Sequence, residues 1–164
     1  MISTIMILVI LFALVFEFIN GFHDTANTIA TVVYTKVLTP GRAILLATFM
    51  NLCGALVSEK VAGTIANGLV DVQLEQYVIV SALIGAILWN LFTWWQGIPS
   101  NSSHALIGSL IGAVMAYTMT IEHVIWSGVL YKVILPLCTS PLLGLFVGFL
   151  CMKAINKVFG RWSP

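Results

Sequence analysis

Two oxygen-rich clusters interrupt a chain that is otherwise mostly hydrocarbon: Asn20-Gly21-Phe22-His23-Asp24-Thr25-Ala26-Asn27 and Pro99-Ser100-Asn101-Ser102-Ser103-His104. In the first, Asn20, Asp24, Asn27, Thr28 and Thr31 recur every three or four residues, so on a helix they share one face. A carboxylate beside amide, hydroxyl and unwound-backbone oxygens is a ligand set for a small hard cation, and the carboxylate alone would serve a proton relay. The plainer alternative is that Asp24 and the asparagines only hold helices together by hydrogen bonds. Asp24 tips the balance, because an ionisable group at membrane depth is costly unless it is used.

In the second cluster, Ser100, Asn101, Ser102 and Ser103 precede a helix expected to begin near His104. Free backbone amides, the positive end of the helix dipole and several hydroxyls would form a neutral cradle for a phosphate-like anion, with no arginine needed. An ordinary Pro/Ser turn is the competing reading, weakened by the presence of the first cluster. His104 is a candidate to donate to the anion or to titrate, and equally a capping residue.

The elements that must hold these clusters lie in lipid. The chain is 60% hydrophobic and only 8% charged, against about 25% charged in an average soluble domain. That composition indicates an all-α integral membrane protein and, lacking any basic stripe, excludes nucleic acid as a partner. Cys53, Cys138 and Cys151 sit inside apolar runs without metal-ligand spacing and read as packing residues.

Apolar runs cover about residues 2–18, 25–37, 43–65, 77–95, 105–119 and 124–152. A bilayer core takes roughly 20 helical residues. The first two runs together make roughly 35 residues, over 50 Å at about 1.5 Å per residue, so a broken first helix is expected, with the break at Asn20-Gly21. Met1 to Phe18 has no basic n-region, and Glu17 and Asn20 occupy the place of a cleavage site, so the segment is read as retained helix rather than signal peptide. A second break, or a re-entrant hairpin, is expected at Gly97-Ile98-Pro99, with Ser100, Ser102 or Ser103 capping the next helix. The run to Met119 is short enough for a hairpin arm.

Lys36, Arg42, Lys153, Lys157 and Arg161 mark cytoplasmic ends, with Asp71 and Glu75 opposite. The expectation is about five crossings, N-terminus outside and C-terminus cytoplasmic. After an odd number of crossings a second copy would run upside down, so residues 1–164 read as one half of an inverted-repeat transporter whose second repeat lies outside this chain. Gly108/Gly112 and Gly144/Gly148 match GxxxG and suggest close helix packing. Trp89, Trp94, Trp95, Trp126, Trp162 and Tyr77 suggest an interfacial belt. Glu17 is evenly balanced between function and structure, while Asn51 and Asn90 read as helix glue.

The stretches from Gly21 to Asn27, with the following Thr28-Ile29-Ala30-Thr31, and from Gly97 to Gly108 resemble the two signatures of the inorganic phosphate transporter (PiT) family, particularly the N-terminal half of bacterial low-affinity permeases. The resemblance implies secondary active transport of inorganic phosphate across the bacterial inner membrane, with each half contributing to a midplane site. Carried over, Ser100, Asn101, Ser102, Ser103 and His104 would bind phosphate, and Asn20, Asp24, Asn27 and Thr28 the coupling ion, with Asp24 and Asn27 as metal ligands if that ion is sodium. His23 precedes the signature aspartate where sodium-coupled animal members carry asparagine, which favours protons, with sodium as the alternative and a metal-phosphate complex as a further option. Competing readings are a permease for another oxyanion such as sulfate and, remotely, an intramembrane serine hydrolase, for which no nucleophile motif is present. No cofactor is called for, and a homodimer stays open as a partner arrangement.

Overall fold

The computed structural model describes residues 4–57 and 68–159. Arg161 and Trp162, used above for orientation and the aromatic belt, lie outside the described residues. The five regular elements among those residues are all helices: α1 Thr4–Tyr34, α2 Pro40–Val57, α3 Gln76–Gln96, α4 Ser102–Thr118 and α5 Trp126–Phe159. Three of them, α1, α3 and α5, are long and apolar enough to cross a membrane. The chain is a multi-pass membrane protein. It divides into two compact units, Met1–Ile125 and Trp126–Pro164.

The break expected at Asn20-Gly21 is absent, because α1 is one helix of 31 residues. A single glycine in a helix interior costs only about 1 kcal/mol relative to alanine, too little to interrupt flanking runs of Ile, Leu, Phe and Ala. At about 1.5 Å per residue α1 is roughly 46 Å long, longer than a bilayer core. No unwound backbone oxygens are therefore offered at this point, and any ligand must be met by side chains.

The second break is present. Gly97 stands in the left-handed region at φ 67°, its N–H donating to the Trp94 carbonyl at 3.1 Å while Ile98 N–H donates to Thr93 O at 2.9 Å. This Schellman arrangement satisfies the last carbonyls of α3 and needs a residue without a Cβ at the turn. Pro99 then prevents the helix from resuming until Ser102.

From that turn α3 and α4 fold back on each other as a hairpin of constant register. Tyr77 meets Tyr117 edge to face at 5.4 Å, Gly85 faces Ser109, and Val70 pairs with Val124 in an antiparallel bridge. All three pairs are centred in sequence on Gly97. At the far end Asp71 N–H donates to His123 O and Ile125 N–H to Leu69 O, both at 2.9 Å, tying the hairpin's ends together. The close approach comes at Gly85, where an added Cβ would lie 3.1 Å from Ser109 Oγ, whereas Gly108, Gly112, Gly144 and Gly148 meet nothing within 4 Å. The GxxxG expectation is thus corrected: the tight contact uses a different glycine, on the facing helix. Gly85→Leu should push the arms apart and cost about 1–3 kcal/mol, seen as a lower unfolding midpoint in detergent, while Gly108→Ala should leave it unchanged or raise it.

α1 runs alongside α3 in the same direction. Phe16 and Ile19 cluster with Leu83, Ala86 and Ile87, and one turn on, Phe22 meets Trp94 edge to face at 5.8 Å. In lipid no hydrophobic drive brings such helices together, so this interdigitation holds α1 on the hairpin by dispersion contacts.

In the second unit, α5 contains a π-helical turn, Leu130–Ile134, where Leu135 N–H donates to Leu130 O. The widened turn lies just before Pro136, whose ring would press on the Lys132 carbonyl and which has no N–H to give it. No residue of α5 is buried within its own unit.

Candidate functional site

The hairpin turn and the polar stretch of α1 meet in one open pocket of about 360 Å³, lined by His23, Ala26, Asn27, Thr93, Trp94, Gly97, Ile98 and Pro99. Two features of the fold create it. Packing of Phe22 on Trp94 brings the next turn of α1 level with the end of α3, and the left-handed Gly97 turns the chain aside so that Ile98 and Pro99 form a wall. Thr93, 2% exposed, donates its hydroxyl hydrogen to the Trp89 and Asn90 carbonyls at 3.0 and 3.1 Å, which leaves its oxygen able to accept. The pocket thus offers an imidazole, an amide and a hydroxyl oxygen between aromatic and apolar walls, with no formal charge on its lining apart from what His23 can carry.

The residues expected to bind the coupling ion all lie on α1 and differ in burial and partners. Asn27 lines the pocket. Asn20 is half-buried and donates to Glu17 Oε2 at 3.4 Å, while its Oδ1 is buried without a partner. Glu17, balanced above between two roles, therefore holds Asn20's amide. Asp24 is exposed on this chain. Thr28 turns its hydroxyl back to the Asp24 carbonyl at 2.8 Å, the usual internal bond of a helical threonine, so its hydrogen is already committed.

At the hairpin turn the expected serine cap is replaced by Asn101, whose Oδ1 accepts from Ser103 N–H at 2.9 Å and His104 N–H at 3.3 Å. An asparagine side chain reaches the amides two and three residues on and is as good an N-cap as serine. Two of the amides expected to be free for an anion are therefore engaged. Ser100 and His104 are half-buried and Ser103 exposed; Ser102 is 1% exposed with Oγ unpartnered. Of the second cluster only Pro99 reaches the pocket lining.

Thr93, Trp94 and Ile98 were not anticipated in the pocket. The signal available was their spacing from Gly97: a helix-ending glycine followed by proline exposes the preceding turn as a wall.

The family model described as "Phosphate transporter family" matches residues 20–163. The chain belongs to the phosphate transporter family. Among curated relatives of this phosphate transporter family member, a probable low-affinity inorganic phosphate transporter of Streptomyces halstedii is 43% identical over 164 residues, covering 98% of this chain and 76% of the relative. One of the same description from Mycobacterium tuberculosis (strain ATCC 25618 / H37Rv) is 48% identical over 145 residues, covering 88% of this chain and 34% of that protein. The chain thus spans most of the first relative and about a third of the second. A solved structure titled "The sodium-dependent phosphate transporter" is 30% identical with a TM-score of 0.86, covering 99% of this chain and 42% of that one. These relatives are transporters rather than enzymes, which sets the serine hydrolase reading aside, and both sequence signatures of this phosphate transporter family chain fall inside the matched region.

Proposed function

We propose that this chain forms one half of a secondary transporter that carries inorganic phosphate across the cell membrane, driven by a cation gradient. The observation that carries the reading is the pocket in which α1 and the hairpin turn meet, on a chain of the phosphate transporter family. On this reading Ser100, Asn101, Ser102, Ser103 and His104 supply the phosphate side of the site, and Asn20, Asp24, Asn27 and Thr28 the coupling-ion side. The serine hydroxyls and the positive end of α4 attract the anion, and the exposed Asp24 supplies negative charge for the cation. A second, inverted repeat completes the path, with the N-terminus of this half outside and its C-terminus in the cytoplasm. Pocket and cradle are neutral enough to take phosphate alone or as a metal-phosphate complex.

Sodium is the preferred coupling ion, supported by the likeness to a transporter described as sodium-dependent, with protons as the alternative. Proteoliposomes of the full transporter separate the two. An imposed sodium gradient at equal pH should drive uptake of labelled phosphate, unlabelled phosphate should compete, and sulfate should not. Uptake driven only by a pH gradient would transfer the coupling role to protons, and competition by sulfate would make the protein a broader oxyanion permease.

A further inference from the structure

α1 stands between two cavities of opposite character. At about 100° per residue, His23, Ala26 and Asn27, which line the polar pocket, and Thr28, Ile29 and Val32, which line a second cavity of about 210 Å³, fall on opposite faces of the helix. α2 supplies the far wall of this second cavity, where Leu46 and Met50 are 48% and 57% exposed and leave it open to the side. The connecting turn folds back on the end of α1, with Val37 and Leu38 N–H both donating to Val32 O at 3.1 and 3.4 Å, and so sets Leu38 in the lining. Thr28 carries the single hydroxyl there, and its hydrogen is already given to the Asp24 carbonyl at 2.8 Å. A water inside would lack the two to four polar partners it needs, so the cavity takes hydrocarbon, and it exceeds the roughly 150 Å³ that accepts a benzene ring.

Two cations stand at the turn end of this slot. Lys36 lies two residues before Leu38 and Arg42 immediately before Ala43, another lining residue, and both cations are exposed. Neither side chain forms a hydrogen bond or ion pair among the described residues, and no Asp or Glu occurs in the sequence between Asp24 and Glu59. Hydrocarbon-lined space with unanswered positive charge at its end selects the occupant. A neutral lipid or an apolar helix would fill the slot and leave the charges unanswered, while a soluble anion would answer the charges and leave the slot empty. An anionic phospholipid does both, since its headgroup rides at the level of the helix ends, where juxtamembrane Lys and Arg attract it. We infer that the cavity between α1 and α2 binds one anionic phospholipid, with an acyl chain in the slot and the headgroup phosphate on Lys36 and Arg42, bracing α1 from the side opposite the polar pocket. The site goes beyond the transport reading and does not depend on which substrate or ion is carried.

Native mass spectrometry of the full transporter in detergent tests it, with dioleoyl phosphatidylglycerol titrated against dioleoyl phosphatidylcholine and the unfolding midpoint read alongside. Phosphatidylglycerol should bind more tightly than phosphatidylcholine and raise the midpoint, and soluble glycerol 3-phosphate should not displace it. Lys36→Gln and Arg42→Gln, at exposed and unpaired positions, should leave the lipid-free midpoint unchanged and each weaken one phosphatidylglycerol binding event about fivefold. Ala47→Trp, which fills the slot from α2, should remove that event while sparing the charges. Equal binding of the two lipids, or phosphatidylglycerol binding unchanged in Ala47→Trp, would overturn the site. So would a midpoint that Ala47→Trp lowers and phosphatidylglycerol does not raise, the pattern of a cavity already filled by another helix of the transporter.

Discussion

Asp24→Asn is expected to reduce gradient-driven phosphate uptake to the level of cells without the transporter, while leaving the protein as abundant or more so. Asp24 lies within the longest helix of the first unit, exposed on this chain, and none of its carboxylate oxygens is among the hydrogen bonds found along α1. A carboxylate near the middle of a spanning helix costs about 2.5–3.5 kcal/mol on insertion scales. Asparagine keeps the shape and removes that penalty, so stability should hold or rise as transport disappears. A group retained for structure would show the reverse, with less protein and transport per molecule intact. Uptake by membrane vesicles, normalised to protein amount, reads both quantities, and normalised uptake near the native level would remove Asp24 from the mechanism.

Ala26→Trp should be nearly as damaging for a different reason. Ala26 lines the pocket between His23 and Asn27, and an indole there occupies the space between α1 and the hairpin turn without adding charge. Its control is Ala47→Trp, in a second cavity of about 210 Å³ lined by Thr28, Ile29, Val32, Leu38, Ala43, Leu46, Ala47 and Met50. That lining is apolar apart from one threonine, so it offers nothing to hold an oxyanion. Phosphate uptake should collapse in Ala26→Trp and persist per folded molecule in Ala47→Trp; equal losses would show that crowding α1, rather than blocking a path, is responsible.

How much of this was legible in the sequence varies with the physics of each feature. Glycine followed by proline at 97 and 99 encodes its own geometry, since one tolerates φ 67° and the other removes a donor, and the end of α3 was readable from those residue types. The continuity of α1 was not, because length alone suggested a break where the real cost of Gly21 inside a helix is small. Capping by Asn101 rather than a neighbouring serine depends on which of four adjacent polar residues reaches the free amides, a distinction between nearly equivalent caps. Gly85 was invisible beside the GxxxG pairs because its importance comes from Ser109 on the opposite arm. Asn90 looked like helix glue, and what singles it out is the lack of any partner for its amide once three helices are assembled.

Phosphate protection of the pocket offers the most direct test of the central claim, that the polar stretch of α1 and the hairpin turn enclose the substrate together. Single cysteines at Ala26 and Ile98, in the full transporter with Cys53, Cys138 and Cys151 replaced by serine, would be modified by a charged methanethiosulfonate with and without phosphate. Phosphate should slow modification at both positions and sulfate at neither. Unchanged rates at both positions in saturating phosphate would contradict the account.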